Sequence, residues 1–204
     1  MHCTRFFFVC LFSTLAAIVP LRAAPDAGPS PTQVVEKLHG ALLQSMKEGP
    51  KLGFEGRVKL LDPVVRDCFD LKTMARVATG AGWSKLSDAD QARIVDTFSK
   101  FTVANYASQF KAYDGEKFTT KGETDTGRGK AVDTTLGAPS DTEPTELNYQ
   151  LRQSDGQWKI VDVYLDSSVS QLALRRNEFA AAMAAGGVDN LIAQMEKSTA
   201  QMAK

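Results

Sequence analysis

The chain has 204 residues, with 24 basic and 24 acidic side chains, a formal charge of zero and a mean hydropathy of −0.21. That balance excludes a broad cationic face for nucleic acid or an anionic membrane. Three cysteines and two histidines leave little from which to build a zinc or copper site, and no cofactor is expected.

His2 and Arg5 give a weakly basic start, Phe6 to Val19 is apolar, and Ala23-Ala24 offers small residues for cleavage. This pattern predicts a secretory signal peptide over residues 1–24, short of the length that spans a bilayer. Its removal leaves 180 residues (204 less 24), enough for one domain. Arg5 and Arg22 leave with it, so 22 basic residues face 24 acidic ones and the net charge is near −2. Cys68 and His39 remain as the single cysteine and histidine, which rules out an intramolecular disulfide.

Residues 25–31, Pro-Asp-Ala-Gly-Pro-Ser-Pro, read as a linker to a single domain over 32–204. Thr32 can cap a first helix to about Lys47, with Val34, Val35, Leu38, Leu42 and Met46 as its apolar stripe. Gly49-Pro50 should end it, and a second helix from about Phe54 to Asp67 carries Pro63 as a kink. A short helix follows, with Asp70 as N-cap and Gly80 at its C-terminus. Ser87 caps a long helix whose Ile94, Val95, Phe98, Phe101, Tyr106, Phe110 and Tyr113 form an aromatic stripe. Core packing and cavity lining use the same residue types, so the stripe suits either.

Gly115 closes the helical half. Lys117–Glu123 and Gly129–Leu136 read as strands, and Leu147–Arg152 alternates strictly between apolar and polar. After a turn at Ser154-Asp155-Gly156, Gln157–Leu165 forms a strand with Trp158, Ile160 and Tyr164 on one face and Val161, Val163 and Leu165 on the other. A strand apolar on both faces calls for cover on both. Helices from about Val169 to Ala184 and Val188 to Lys197 flank Gly186-Gly187. The order predicts an α+β domain: a four-stranded antiparallel sheet covered by a layer of helices, with an apolar cavity between them.

Few residues offer chemistry. Cys68 with His39 and Asp70 is the one nucleophilic set, and Cys68 beside Phe69 reads better as a small buried hydrophobe. Asp162, between two valines, needs a partner such as Arg76 or Arg175. Arg175-Arg176 is either a solvated helix edge or a guard that meets an anionic head group at a cavity mouth.

Phe69-Asp70-Leu71, Met74-Ala75-Arg76, Gly80-x-x-Trp83, Leu86-Ser87 and Asp90-Gln91 resemble a block of the periplasmic lipid-binding proteins of the toluene-tolerance/MlaC family. So do Tyr106-Ala107, Tyr149-x-Leu151, Gly156-x-Trp158-x-Ile160-x-Asp162-Val163, Arg175-x-x-x-Phe179 and Gly186-Gly187. Ser170-Gln171-Leu172-Ala173 with Arg175-Arg176 looks most like the hopanoid-associated HpnM branch. The resemblance implies an NTF2-like, MlaC-like fold and a monomeric periplasmic carrier. Such a carrier takes a phospholipid or hopanoid between an inner-membrane ABC-type lipid transporter and an outer-membrane lipoprotein complex. On that reading Trp83, Phe98, Phe101, Phe110, Tyr149, Trp158, Ile160 and Leu172 line the cavity, and Arg175 and Arg176 sit at its mouth. Ser167-Ser168 depart from the family's glycine there, and a turn needing positive φ would strain them. A non-catalytic scaffold of a membrane complex and an enzyme built on the cavity are the alternatives.

Overall fold

The computed structural model describes residues 28–204, so the predicted signal peptide and the first residues of the linker lie outside the described residues. Ser30, rather than Thr32, caps the first helix: its hydroxyl accepts from Gln33 N, and the Gln33 side chain accepts from Ser30 N. Pro31 then stands at the first helical position, where its missing N–H costs nothing. Helix α1 runs Pro31–Cys68 through both Pro50 and Pro63, and its one non-helical residue is Gly53, at φ 62°. The expected break at Gly49-Pro50 therefore falls a turn later, at the residue without a Cβ to forbid it.

Helix α2 (Leu71–Thr79) is capped by Asp70, which accepts from Thr73 N at 2.9 Å, and ends at Gly80 with φ 74°. A 3-10 helix (Gly80–Lys85) leads to α3 (Asp88–Gln109), capped by Ser87. Strands β1 (Lys117–Asp125), β2 (Lys130–Gly137), β3 (Thr145–Ser154), β4 (Gln157–Leu165) and β5 (Val169–Ser170) form one antiparallel sheet in sequential order. Five strands stand where four were predicted. The fifth is two residues long, below any periodicity signal, and exists because the chain doubles back at Asp166-Ser167. Both residues are left-handed, at φ 47° and 56°, and Ser168 N donates to Leu165 O across them. Leu165 pairs with Val169, so residues 166–168 form a three-residue hairpin loop whose two left-handed positions are filled without the glycine that favours them.

Helix α4 (Gln171–Met202) is bent at Gly186-Gly187, where Gly187 has φ 66°. Helix α1 packs on β1, β2 and β4, α3 packs on α1, and α4 lies against α2, α3 and β4. The core faces this helical layer: Val132 and Thr134 from β2, Leu147, Tyr149 and Leu151 from β3, and Ile160 and Val163 from β4.

The sidedness of β4 differs from the expectation. Ile160 pairs with Leu151 and Asp162 with Gln150, so Val161 has no partner and forms a bulge. One extra residue reverses the alternation. Ile160 and Val163 are both buried on the helical side, while Val161 and Tyr164 share the opposite face. The strand that reads as apolar on two faces is thus two half-strands with one buried face.

Candidate functional site: an apolar cavity between sheet and helices

A cavity of about 130 Å³ lies between β3–β4 and the helices. Helix α3 supplies Phe98, Phe101, Thr102, Asn105, Tyr106 and Gln109, which recur every three or four residues and so share one helical face, and its C-cap residue Phe110 continues it. The sheet supplies Leu147, Tyr149, Val163 and Leu165; Phe69 and Met74 close one side, and Gln171, Leu172 and Arg175 of α4 close another. The walls are mostly aromatic and aliphatic, and the amides of Asn105, Gln109 and Gln171 join Thr102, Asp162 and Arg175 in the polar part of the lining.

Stacked rings hold the walls. Tyr106 stacks on Phe110 at 5.9 Å, and Phe98 meets Phe179 edge-on at 6.0 Å. Tyr149 is anchored from behind, its hydroxyl 3.0 Å from His39 Nε2, and the His39 ring stacks on Phe118 at 3.8 Å. Burial lowers the His39 pKa to about 4, so the imidazole is neutral near pH 7. Burial likewise raises the Tyr106 and Tyr149 phenols, which stay protonated.

Of the residues singled out in the sequence, Phe98, Phe101, Phe110, Tyr149, Leu172 and Arg175 meet in this cavity. Trp83, Trp158, Ile160 and Arg176 do not. Trp83 sits in the 3-10 helix and lines a separate groove with Arg66, Lys72 and Gln91. Trp158 is half-buried opposite Gln153 at the turn end of the hairpin. Ile160 is fully buried, its backbone bridged to Phe69. Arg176 turns a further 100° around α4 and reaches Gly80: a Cβ there would lie 3.7 Å from Arg176 Nε. It faces the C-terminal end of α2, where a cation is favoured.

Arg175 is the cation of the cavity wall. Its guanidinium lies 4.8 Å from the centre of the Phe101 ring, and Nη1 is 2.8 Å from Glu178 Oε2. Asp162 pairs with neither Arg76 nor Arg175. Its Oδ1 accepts from Val163 N (2.8 Å) and Leu172 N (3.1 Å), and Oδ2 accepts from Ser170 Oγ (2.6 Å). The carboxylate thus ties the positive N-terminus of α4 to the sheet. The Cys68, His39 and Asp70 side chains are each engaged elsewhere: Cys68 Sγ donates to Val34 O, His39 meets Tyr149, and Asp70 caps α2. Burial pushes the Cys68 thiol up to about 11, far from a nucleophile.

Val163 and Leu165 were missed as lining because the bulge at Val161 hides their side; Asn105 and Gln109 were missed because polar residues give no apolar signal. Their spacing from Phe98 and Phe101 could have found the amides.

The model of the MlaC protein family matches residues 36–197. The chain belongs to the MlaC family. The fold agrees with a solved structure, a phospholipid-binding protein from Ralstonia solanacearum in complex with a phospholipid. The TM-score is 0.73 at 22% identity, covering 86% of this chain and 100% of that one. No curated protein sequence matches this chain.

Proposed function

We propose that this MlaC-family chain is a lipid-binding carrier that holds an acyl chain in the cavity between α3, α4 and the sheet. The observation that carries the reading is the cavity itself: a partly open space with aromatic and aliphatic walls and polar groups contributed by α3, α4 and Asp162 of β4. The phospholipid in the Ralstonia protein of the same fold supports it. The occupied state of Asp162 favours binding over catalysis, since the one carboxylate of the lining already accepts three hydrogen bonds.

Each methylene removed from water is worth about 0.8 kcal/mol, so a chain of about 16 carbons gains on the order of 12 kcal/mol on burial. A lipid cannot cross water at a useful rate at that cost, and a protein offering nearly equal burial removes it. The 130 Å³ cavity is about the size of a space that takes benzene, so a full chain enters only as the walls part. A flexible acyl chain threads such a narrow space, whereas the rigid rings of a hopanoid do not; phospholipid is therefore the preferred cargo. Export across the inner membrane, a monomeric periplasmic carrier, and exchange between an inner-membrane transporter and an outer-membrane lipoprotein complex complete the proposal.

Mass spectrometry of the organic extract of full-length protein, purified from a periplasmic preparation without detergent, should find stoichiometric phospholipid. Leu172→Trp should reduce that loading with the circular dichroism spectrum unchanged. An empty extract together with no uptake from vesicles rejects the carrier; a hopanoid in place of phospholipid rejects the cargo.

A further inference from the structure

On the opposite side of Leu172 and Asp162 from the cavity lies a second space, a groove of about 370 Å³ between α2 and the outer face of β3–β4. Leu172 and Asp162 line both spaces and form the partition between them. The groove has a different chemistry from the cavity. Arg128, from the β1–β2 turn, and Arg152, from β3, both line it, with Thr73 and Tyr164 beside them. The two arginines belong to one corner: the Cβ position of Gly129 lies 3.2 Å from Arg152 Cγ, so the Arg152 stem rests on the turn that carries Arg128.

Among the described residues neither arginine takes part in an ion pair. Arg175, by contrast, is already neutralised by Glu178. The only carboxylate lining the groove is Asp162, whose charge is spread over the N-terminus of α4. Two arginines without an ion-pair partner lining one groove supply a positive field and planar donors of the kind that suits a phosphate diester or monoester.

We propose that this groove is the head-group subsite of the lipid site. Arg128 and Arg152 hold the phosphate, and the acyl chain passes Leu172 into the apolar cavity. The inference rests on the lipid-carrier reading and moves the anion contact from Arg175 to the outer face of the sheet. It also assigns a use to Tyr164, whose turn onto that face follows from the bulge at Val161. A neutral lipid with the same tails uses the cavity and not the arginines.

The test compares the full chain with R128A/R152A and the charge-keeping R128K/R152K. Each is loaded from phosphatidylcholine vesicles doped with either phosphatidylglycerol or diacylglycerol. Both arginines are exposed, and thermal melts of the three proteins should coincide. R128A/R152A should load phosphatidylglycerol about tenfold less well and diacylglycerol as well as the parent, with R128K/R152K between them. Unchanged phosphatidylglycerol loading, or an equal fall for both lipids, overturns the subsite and leaves the carrier standing. Failure of the parent chain to load either lipid overturns the carrier as well. Inorganic phosphate is titrated in parallel without vesicles. If the alanine pair abolishes phosphate binding but spares phosphatidylglycerol loading, the groove serves a free anion and the head-group assignment is lost.

Discussion

His39 gives the sharpest quantitative expectation. Its ring is 4% exposed, stacked on Phe118 and hydrogen-bonded to Tyr149, and burial lowers its pKa from 6.5 to about 4. Between those values the unfolded chain binds a proton that the folded chain refuses. Stability from this group is therefore complete above about pH 6.5 and is lost as pH falls toward about 4. At about 1.4 kcal/mol for each pH unit, the interval contributes about 3 kcal/mol, a large fraction of a typical domain's stability. Urea unfolding at a series of pH values from about 4 to 8 should show this acid limb. The double variant His39→Leu with Tyr149→Phe removes both polar partners together, so neither is left unsatisfied, and the limb should flatten. NMR should place the His39 ring titration well below that of an unfolded-chain histidine. A ring that titrates near 6.5, or a double variant with the same acid limb, refutes the burial argument.

Other expectations follow from single contacts. Ser167→Gly relieves a left-handed serine at φ 56° and loses a hydroxyl contact to Glu146 (2.6 Å); a net gain of roughly 0.5–1 kcal/mol should appear as a melting point higher by a few degrees. Arg57 is buried and donates to Ala107 O at 2.8 Å and Gly49 O at 3.2 Å, so it satisfies carbonyls near the end of α3 and before the bend of α1. Arg57→Met should cost about 2–3 kcal/mol in urea unfolding, because both carbonyls stay buried without a donor. Cys68, at 1% exposure and with its thiol near 11, should resist iodoacetamide at about pH 8 in the native state and react once the chain is unfolded. A native-state reaction at the unfolded rate would contradict the packing of Cys68 under Val34.

The element plan was legible from the residues alone, because it depends on local physics. Asp70 and Ser87 cap their helices as expected, since a short polar side chain answers the free N–H groups one turn on. Asp155-Gly156 turns β3 into β4 because both positions need φ above zero. The aromatic face of α3 was equally plain, since helical spacing alone brings Phe98, Phe101 and Phe110 together. What escaped depends on partners distant in the chain. The bulge at Val161 arises only in register with Gln150 and Leu151, and it alone decides that Val163 faces the cavity and Tyr164 the outside. Arg175 and Arg176 are neighbours in sequence, yet packing sends one to Phe101 and the other to Gly80. Asp162 found the backbone of α4 and not an arginine, because the short hairpin through Asp166-Ser167 brings that helix terminus onto β4. Composition and spacing thus determined the elements and the apolar character of the space between them. Tertiary contact decided which side chains enter that space, since register and helix packing are set by pairings that no local pattern contains.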